Sequence, residues 1–363
     1  MSQDDENILP ADRRRGRGAL SNRGSRYDTE TRASFDDGWD SLGELEPLKT
    51  TVTIEPARSI ISTNTSPDIS FDQSINPYRG CEHGCIYCYA RPTHAYLGLS
   101  PGLDFETQLY AKTNAAELLT RELAARSYVP KVIALGAVTD PYQPIERQYG
   151  VTREILEVLD RTNHPVGIVT KSGLILRDLD ILERMAKRDL VKVAISVTTL
   201  DRMIARKMEP RAATPSKRLD AIRALSEAGV HTTVMMAPIV PALNDEEIER
   251  VLETAAEAGA RAAGFVVLRL PLELKTLFRE WLAAEFPDRA DRVISILRSM
   301  HGGKDYASQF GIRQRGTGPY ADQIAQRFKL AAKRHGLMGR ELFRLRTDLF
   351  RPPPHTPGQM AMF

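Results

Sequence analysis

Cysteine is scarce: the 363-residue chain has three, which cannot all pair, and a disulfide-stapled secreted scaffold is therefore excluded. A reducing compartment would keep all three as thiols. Long apolar runs are missing as well. No stretch approaches the ~20 residues needed to span a bilayer, so no membrane partner is expected. The acidic, polar opening Met1-Ser2-Gln3-Asp4-Asp5-Glu6-Asn7 is unlike the basic then apolar start of a secretion signal, and a cytoplasmic address is the expectation. A strong charge of one sign is also lacking. With a formal net charge of +3, global charge gives no reason to expect a polyanion partner.

What is present is enough to bury a large core: 42% of the residues are hydrophobic. Residues 1–48 differ from the rest, alternating charge runs such as Asp12-Arg13-Arg14-Arg15-Gly16-Arg17-Gly18 with small polar residues, and read as a disordered tail. Beyond it, six short Val-, Ile- or Ala-rich runs read as strands at 69–76, 131–138, 166–170, 191–198, 231–237 and 263–268. Helical patterns lie between them. Thr214-Pro215 opens one whose inward face is Leu219, Ile222 and Leu225 and which Gly229 closes. Asn244 or Asp245 caps the next, with Ile248, Val251, Leu252 and Ala255 facing in and Gly259 at its end. Alternating strand and helix predict an α/β fold of parallel strands with right-handed crossovers, either an open doubly wound sheet or a full or partial barrel. Functional groups then gather at the C-terminal ends of the strands.

All three cysteines lie in Cys81-Glu82-His83-Gly84-Cys85-Ile86-Tyr87-Cys88, directly after the first predicted strand. At these spacings the thiols converge on one point, which predicts a metal centre. Structural zinc would need a fourth ligand, His83 or a distant residue. A four-iron, four-sulfur cubane suits three thiolates better, because the fourth iron stays free for an exogenous ligand.

Cys-x3-Cys-x2-Cys with an aromatic before the third cysteine resembles the cluster loop of the radical S-adenosylmethionine (SAM) superfamily. The wider stretch from Asn76-Pro77-Tyr78-Arg79-Gly80 to Tyr89-Ala90-Arg91 resembles the branch related to spore photoproduct lyase. The resemblance implies a partial (βα)6 TIM-like barrel core over 49–270, with the disordered N-terminal tail before it and a C-terminal helical basic extension over 271–363. It implies a [4Fe-4S] cluster on Cys81, Cys85 and Cys88, SAM as the second cofactor, an external electron donor of flavodoxin or ferredoxin type, and hydrogen abstraction by a 5′-deoxyadenosyl radical. It assigns Tyr87 and Tyr89 to cofactor contact and hydrogen relay, and Asp140, Lys171, Ser196 and Arg211 to SAM. Each residue also has an ordinary reading: Asp140 as a turn residue before Pro141, Lys171 and Arg211 as solvated cations, Ser196 bonded to its own backbone.

One departure concerns the reaction. Spore photoproduct lyase carries a hydrogen-donating cysteine just before this Thr-Asp pair, where this chain has Val138 and no cysteine to spare, so repair by that route is not expected. A nucleic-acid base is nonetheless one candidate substrate. Residues 313–351 hold ten Lys or Arg against three Asp or Glu, and Tyr320, Phe328 and Phe343 in that segment are candidates to stack bases. The competing class is a zinc-stabilised, non-enzymatic nucleic-acid-binding protein. His94, His164 and His231 are expected to pack rather than react.

Overall fold

The computed structural model describes residues 8–9, 11, 14–28, 48–338 and 343–354. Ten strands and eleven α-helices follow in chain order among them. The strands are β1 (Thr51–Ile54), β2 (Ile61–Thr63), β3 (Gln73–Ile75), β4 (Tyr78–Arg79), β5 (Gln108–Ala111), β6 (Ile133–Leu135), β7 (Val166–Thr170), β8 (Val191–Ser196), β9 (His231–Ile239) and β10 (Ala262–Val267). The helices are α1 (Asp104–Thr107), α2 (Ala115–Leu123), α3 (Glu146–Tyr149), α4 (Val151–Arg161), α5 (Leu179–Ala186), α6 (Arg202–Met208), α7 (Pro215–Glu227), α8 (Ile248–Glu257), α9 (Leu274–Glu285), α10 (Pro287–Ser299) and α11 (Pro319–Arg334).

All six predicted strands are present, as β3 and β6 to β10, and with β2 they form one seven-stranded sheet in the order β10-β9-β8-β7-β6-β3-β2. Strands β3 and β6 to β10 run parallel, and β2 adds antiparallel to β3. This is the partial barrel, its wall filled by Ile133, Leu135, Ile168, Val193, Ile195, Val234 and Met236, all buried. A second sheet, β1-β5-β4, has no counterpart in the sequence reading, because β4 is only two residues long and β1 is exposed. One predicted cap is corrected. Asn244 does not cap the helix after it: its amide instead accepts from Val240 N at 2.7 Å and donates to Thr198 O and Pro238 O at 2.9 and 3.1 Å, tying β9 to the loop after β8.

The open seam of the barrel is bridged by the segment after α10. Gln314 O accepts from Val267 N at 2.8 Å on the β10 side, while Arg313 reaches Asp68 and Ser66, in the turn between β2 and β3, at 2.5 and 2.6 Å. The basic C-terminal segment goes elsewhere. Helix α11 packs on α8 through the Arg327–Glu249 pair, and Leu337 O then accepts from Ala263 N at 3.1 Å. From there the chain crosses beneath the barrel. Phe343 stacks on His231 with centroids 4.3 Å apart, Arg346 N bonds Asp189 O, Arg351 N bonds Thr162 O, and Phe350 packs on His164 and Tyr128. Each contact lies at the N-terminal end of a parallel strand. The expectation that Tyr320, Phe328 and Phe343 offer rings to bases is therefore corrected: Phe328 is buried against Phe265, the Tyr320 hydroxyl donates to Asp245 at 2.5 Å, and Phe343 lies at the end of the barrel opposite the cysteine loop.

A second correction concerns the N-terminal segment. Asp12, Arg13 and residues 36–40 lie outside the described residues, but 14–28 are described and packed, with Ala19, Leu20 and Ser21 buried. Composition did not reveal this, because what holds the segment is polar. Its key partners are distant in sequence, with Gly18 N and Ala19 N on the Glu106 carboxylate and Arg17 on Glu106 O and Thr50 Oγ1, which no local pattern encodes.

Candidate active site

The cysteine loop follows β3 and β4 and is closed by hydrogen bonds from every side. Cys81 N donates to Phe105 O at 2.9 Å and Ile86 N to Met208 O at 3.1 Å. Gln143 brackets the first cysteine, accepting from Glu82 N at 2.8 Å and donating to Gly80 O at 3.1 Å. Gly80 and Gly84 both have positive φ, +72° and +68°, and a Cβ on Gly80 would stand 2.6 Å from Leu109, so the bends before and within this loop require glycine.

Cys81 and Cys85 are buried and Cys88 is half-buried. Burial raises all three thiols, Cys85 up to about 12 with Glu209 adding to the effect, and Cys81 further through the nearby charges of Asp140, Cys85 and Cys88. Such thiols become thiolates only beside a compensating positive centre. Against burial, the backbone amides of Asp140 beside Cys81 and of Ala90 and Arg91 beside Cys88 act to lower these thiols. Three thiols gathered in one closed loop fit an iron–sulfur cluster, which takes cysteine thiolates as its ligands. His83, the fourth ligand that zinc would require, faces Asp140 instead, Nδ1 to Oδ2 at 3.4 Å. Among the described residues, no three His, Cys, Asp or Glu side chains stand together to hold a single metal ion.

Three of the other candidate residues come from the C-terminal ends of successive strands and the fourth from the loop after α6. Asp140 follows β6, Lys171 follows β7, Ser196 ends β8, and Arg211 follows α6. Asp140 is the most heavily engaged. Oδ1 accepts from Tyr142 N at 2.9 Å and Thr170 Oγ1 at 2.7 Å, and Oδ2 from Lys171 N at 2.8 Å. Burial opposes its charge, but His83 and these donors hold the carboxyl down to about 2. Arg211 Nη1 bonds Glu82 Oε1 at 2.8 Å. Lys171 Nζ lies 5.6 Å over the Tyr87 ring. Ser196 is buried, and its carbonyl accepts from Arg218 at 3.1 Å. The two tyrosines part ways. Tyr87 is buried and its hydroxyl donates to Glu209, whereas Tyr89 is 46% exposed, donates to Ala137 O, and carries the Arg269 guanidinium 5.1 Å over its ring.

Two buried carboxylates that the sequence reading passed over organise this shell. Glu209 accepts from Tyr87, from Thr198 Oγ1 at 2.7 Å and from Arg218. Burial would raise it, yet Arg218, Lys171 and its donors hold it to about 2. Glu106, wholly buried, pairs with Arg91 at 2.5 Å behind the loop. Neither sits in a recognisable motif. The usable signals were a Glu-Pro pair inside a ring of cations and an Arg-Gly-Arg-Gly run whose glycines suit close backbone approach.

Residues 75–255 match the family model described as the Radical SAM superfamily. An uncharacterized protein of Mycobacterium tuberculosis is 38% identical over 232 residues, covering 63% of this chain and 68% of that one. A Pseudomonas phage M6 protein named a radical SAM Nalpha-GlyT isomerase is 25% identical over 194 residues, 52% of this chain and 38% of its own. Among solved structures, a spore photoproduct lyase variant superposes with a TM-score of 0.58 at 16% identity, covering 86% of each chain. Another, complexed with a dinucleoside spore photoproduct, gives 0.57 at 16% identity over 78% of this chain and 79% of that one. A partial parallel barrel, three thiols at the C-terminal rim and these likenesses agree: the chain is a radical SAM enzyme and belongs to that superfamily.

Proposed function

We propose that the chain cleaves SAM reductively at a cluster held by Cys81, Cys85 and Cys88, and abstracts hydrogen from a nucleobase-bearing substrate presented at Tyr89. The observation that carries the reading is the loop itself, three thiols, two buried and one half-buried, gathered at the C-terminal rim of the parallel strands. A four-iron cluster held by Cys81, Cys85 and Cys88 would supply the electron that splits SAM into methionine and a 5′-deoxyadenosyl radical able to take a hydrogen atom from substrate. An external one-electron donor of flavodoxin or ferredoxin type feeds it.

The chain's own side chains position and exclude. Lys171 supplies a point charge suited to the SAM carboxylate. Ser196 is proposed for the methionine or ribose part and Tyr87 for adenine. Asp140 and Arg211 act through the residues they hold, His83 and Glu82, rather than as free ligands. The exposed Tyr89 ring, backed by Arg269, is the natural platform for a planar substrate, since aromatic faces stack on any base and a nearby cation favours an anionic backbone.

The test is anaerobic reconstitution with iron and sulfide, reduction with dithionite, and quantification of 5′-deoxyadenosine from SAM with and without oligonucleotides. Product that rises with oligonucleotide and is absent in Cys85→Ala supports the reading. One zinc per chain with no acid-labile sulfide refutes it, and stimulation by peptides but not nucleic acid refutes the substrate class.

A further inference from the structure

The segment 14–28 lies behind the cysteine loop, and its contacts converge there. Gly18 N and Ala19 N donate to the two oxygens of Glu106 at 2.9 and 2.8 Å. Glu106 in turn holds Arg91, whose guanidinium donates to Cys85 O at 2.9 Å, Gly84 O at 3.1 Å, Gly102 O at 2.9 Å and Pro101 O at 3.2 Å. Arg17 completes the attachment. It donates to Glu106 O at 2.9 Å and to Thr50 Oγ1 at 3.0 Å, and that hydroxyl donates to Glu82 Oε1 at 2.5 Å, one residue past Cys81. Contact with the loop is direct as well as relayed, because a Cβ on Gly18 would stand 1.8 Å from Gly84 O, a backbone atom of the loop itself. Farther along, Asn22 Nδ2 bonds Asp104 Oδ1 at 2.8 Å, Ser21 Oγ bonds Glu280 at 2.7 Å, and Arg26 pairs with Glu273 at 2.9 Å, anchoring the strap to α1 and to the start of α9.

We propose that this N-terminal strap is part of the cluster-holding apparatus: Arg17, Gly18 and Ala19 are positioning residues that fix the Cys81–Cys88 loop through Glu106 and Arg91. The proposal rests on the cluster reading above. Its physical basis is the cost of burying an ion pair, which stays favourable only when every remaining donor and acceptor is satisfied. Without the strap amides, Glu106 keeps Arg91 but loses two donors in a site closed to water, and the carbonyls of Gly84 and Cys85 lose a fixed partner. Outer groups of this kind hold metal ligands in place, and their loss typically weakens metal retention ten- to a hundredfold.

The full-length chain is reconstituted anaerobically, and iron and acid-labile sulfide per chain, the spectrum of the reduced cluster by electron paramagnetic resonance, and the rate of iron release to a chelator are measured. Gly18→Ala, which pushes on Gly84 O, should release iron at least about tenfold faster and alter the spectrum. Ala19→Pro, which deletes one amide donor without crowding Gly84, should do the same to a smaller degree, and it serves if Gly18→Ala does not fold. Leu20→Ala is the control, since it removes a buried side chain of the strap but keeps both amides. It should lower the melting temperature and leave iron release unchanged. If Leu20→Ala speeds release as much as the other two, or if neither of those changes it, the proposal is overturned. A wild-type chain that takes up no iron and sulfide would instead overturn the cluster reading on which it stands.

Discussion

Replacing Arg218 with Met removes the cation from a carboxylate that remains buried, and the structure sets the size of the effect. Arg218 and Glu209 are 2% and 3% exposed, and the guanidinium also donates to Ala213 O at 2.8 Å and Ser196 O at 3.1 Å. Breaking such a pair from one side costs about 3–5 kcal/mol, mostly because the other charge is stranded. At about 2.1 cal/mol/K per residue, a chain of 363 residues shifts its midpoint by about 1.3 °C per kcal/mol, so Arg218→Met should melt roughly 4–7 °C lower. The double variant Arg218→Met/Glu209→Leu should recover part of that loss, because no charge is left behind although the Tyr87 and Thr198 hydroxyls lose their acceptor.

The pH dependence carries the sign. Glu209 is held at about 2, below its ordinary 4.5, so in the wild type its stabilisation is complete above about 4.5 and is lost as pH falls toward 2. Arg218 is the leading cause of the lowering, so in Arg218→Met the carboxyl protonates under milder acid, and the gap between variant and wild type narrows below pH 5. Thermal unfolding of single and double variants at pH 7 and pH 4.5 decides the matter. Equal losses in single and double variants, or a gap independent of pH, would refute the reasoning.

Three further outcomes are expected. His164, buried against Tyr128 and Phe350, is lowered by burial to about 4, so its contribution to stability is full above pH 6.5 and declines as pH falls toward 4. Wild type should lose about 2 kcal/mol more than His164→Gln between pH 7 and pH 5 in denaturant titrations, and parallel losses would count against this assignment. Asp140→Asn keeps the shape but weakens the set of bonds from Tyr142, Thr170 and Lys171, and should lower unfolding free energy by about 1–3 kcal/mol; unchanged stability would mean those bonds contribute nothing. Arg313→Ala opens the barrel seam, and amides in 64–72 and 309–316 should exchange hydrogen faster while those of β8 do not. Uniform acceleration across the chain would show that the seam is not a local brace.

Local pattern and spacing were enough to expose the strands, the crossovers and the cysteine loop. Alternation of short β-branched runs with amphipathic helices leaves few topologies, and three thiols within eight residues converge whatever surrounds them. The rest needed the tertiary structure, because the deciding contacts join residues distant in sequence. Asp140 reads equally as a turn residue or a ligand until Thr170 and Lys171 are brought to it across β6 and β7. Phe343 reads as a stacking aromatic until the chain carries it under the barrel to His231. Arg17-Gly18-Ala19 reads as part of a solvated tail, since composition counts the charges of a segment and cannot see that Glu106, some 88 positions away, waits buried for two backbone amides. The sequence by itself determined the fold class and the place of the metal loop, through local periodicity and spacing. Only the tertiary structure decided which charged groups surround that loop, because each is buried beside a partner that the folded chain alone brings within reach.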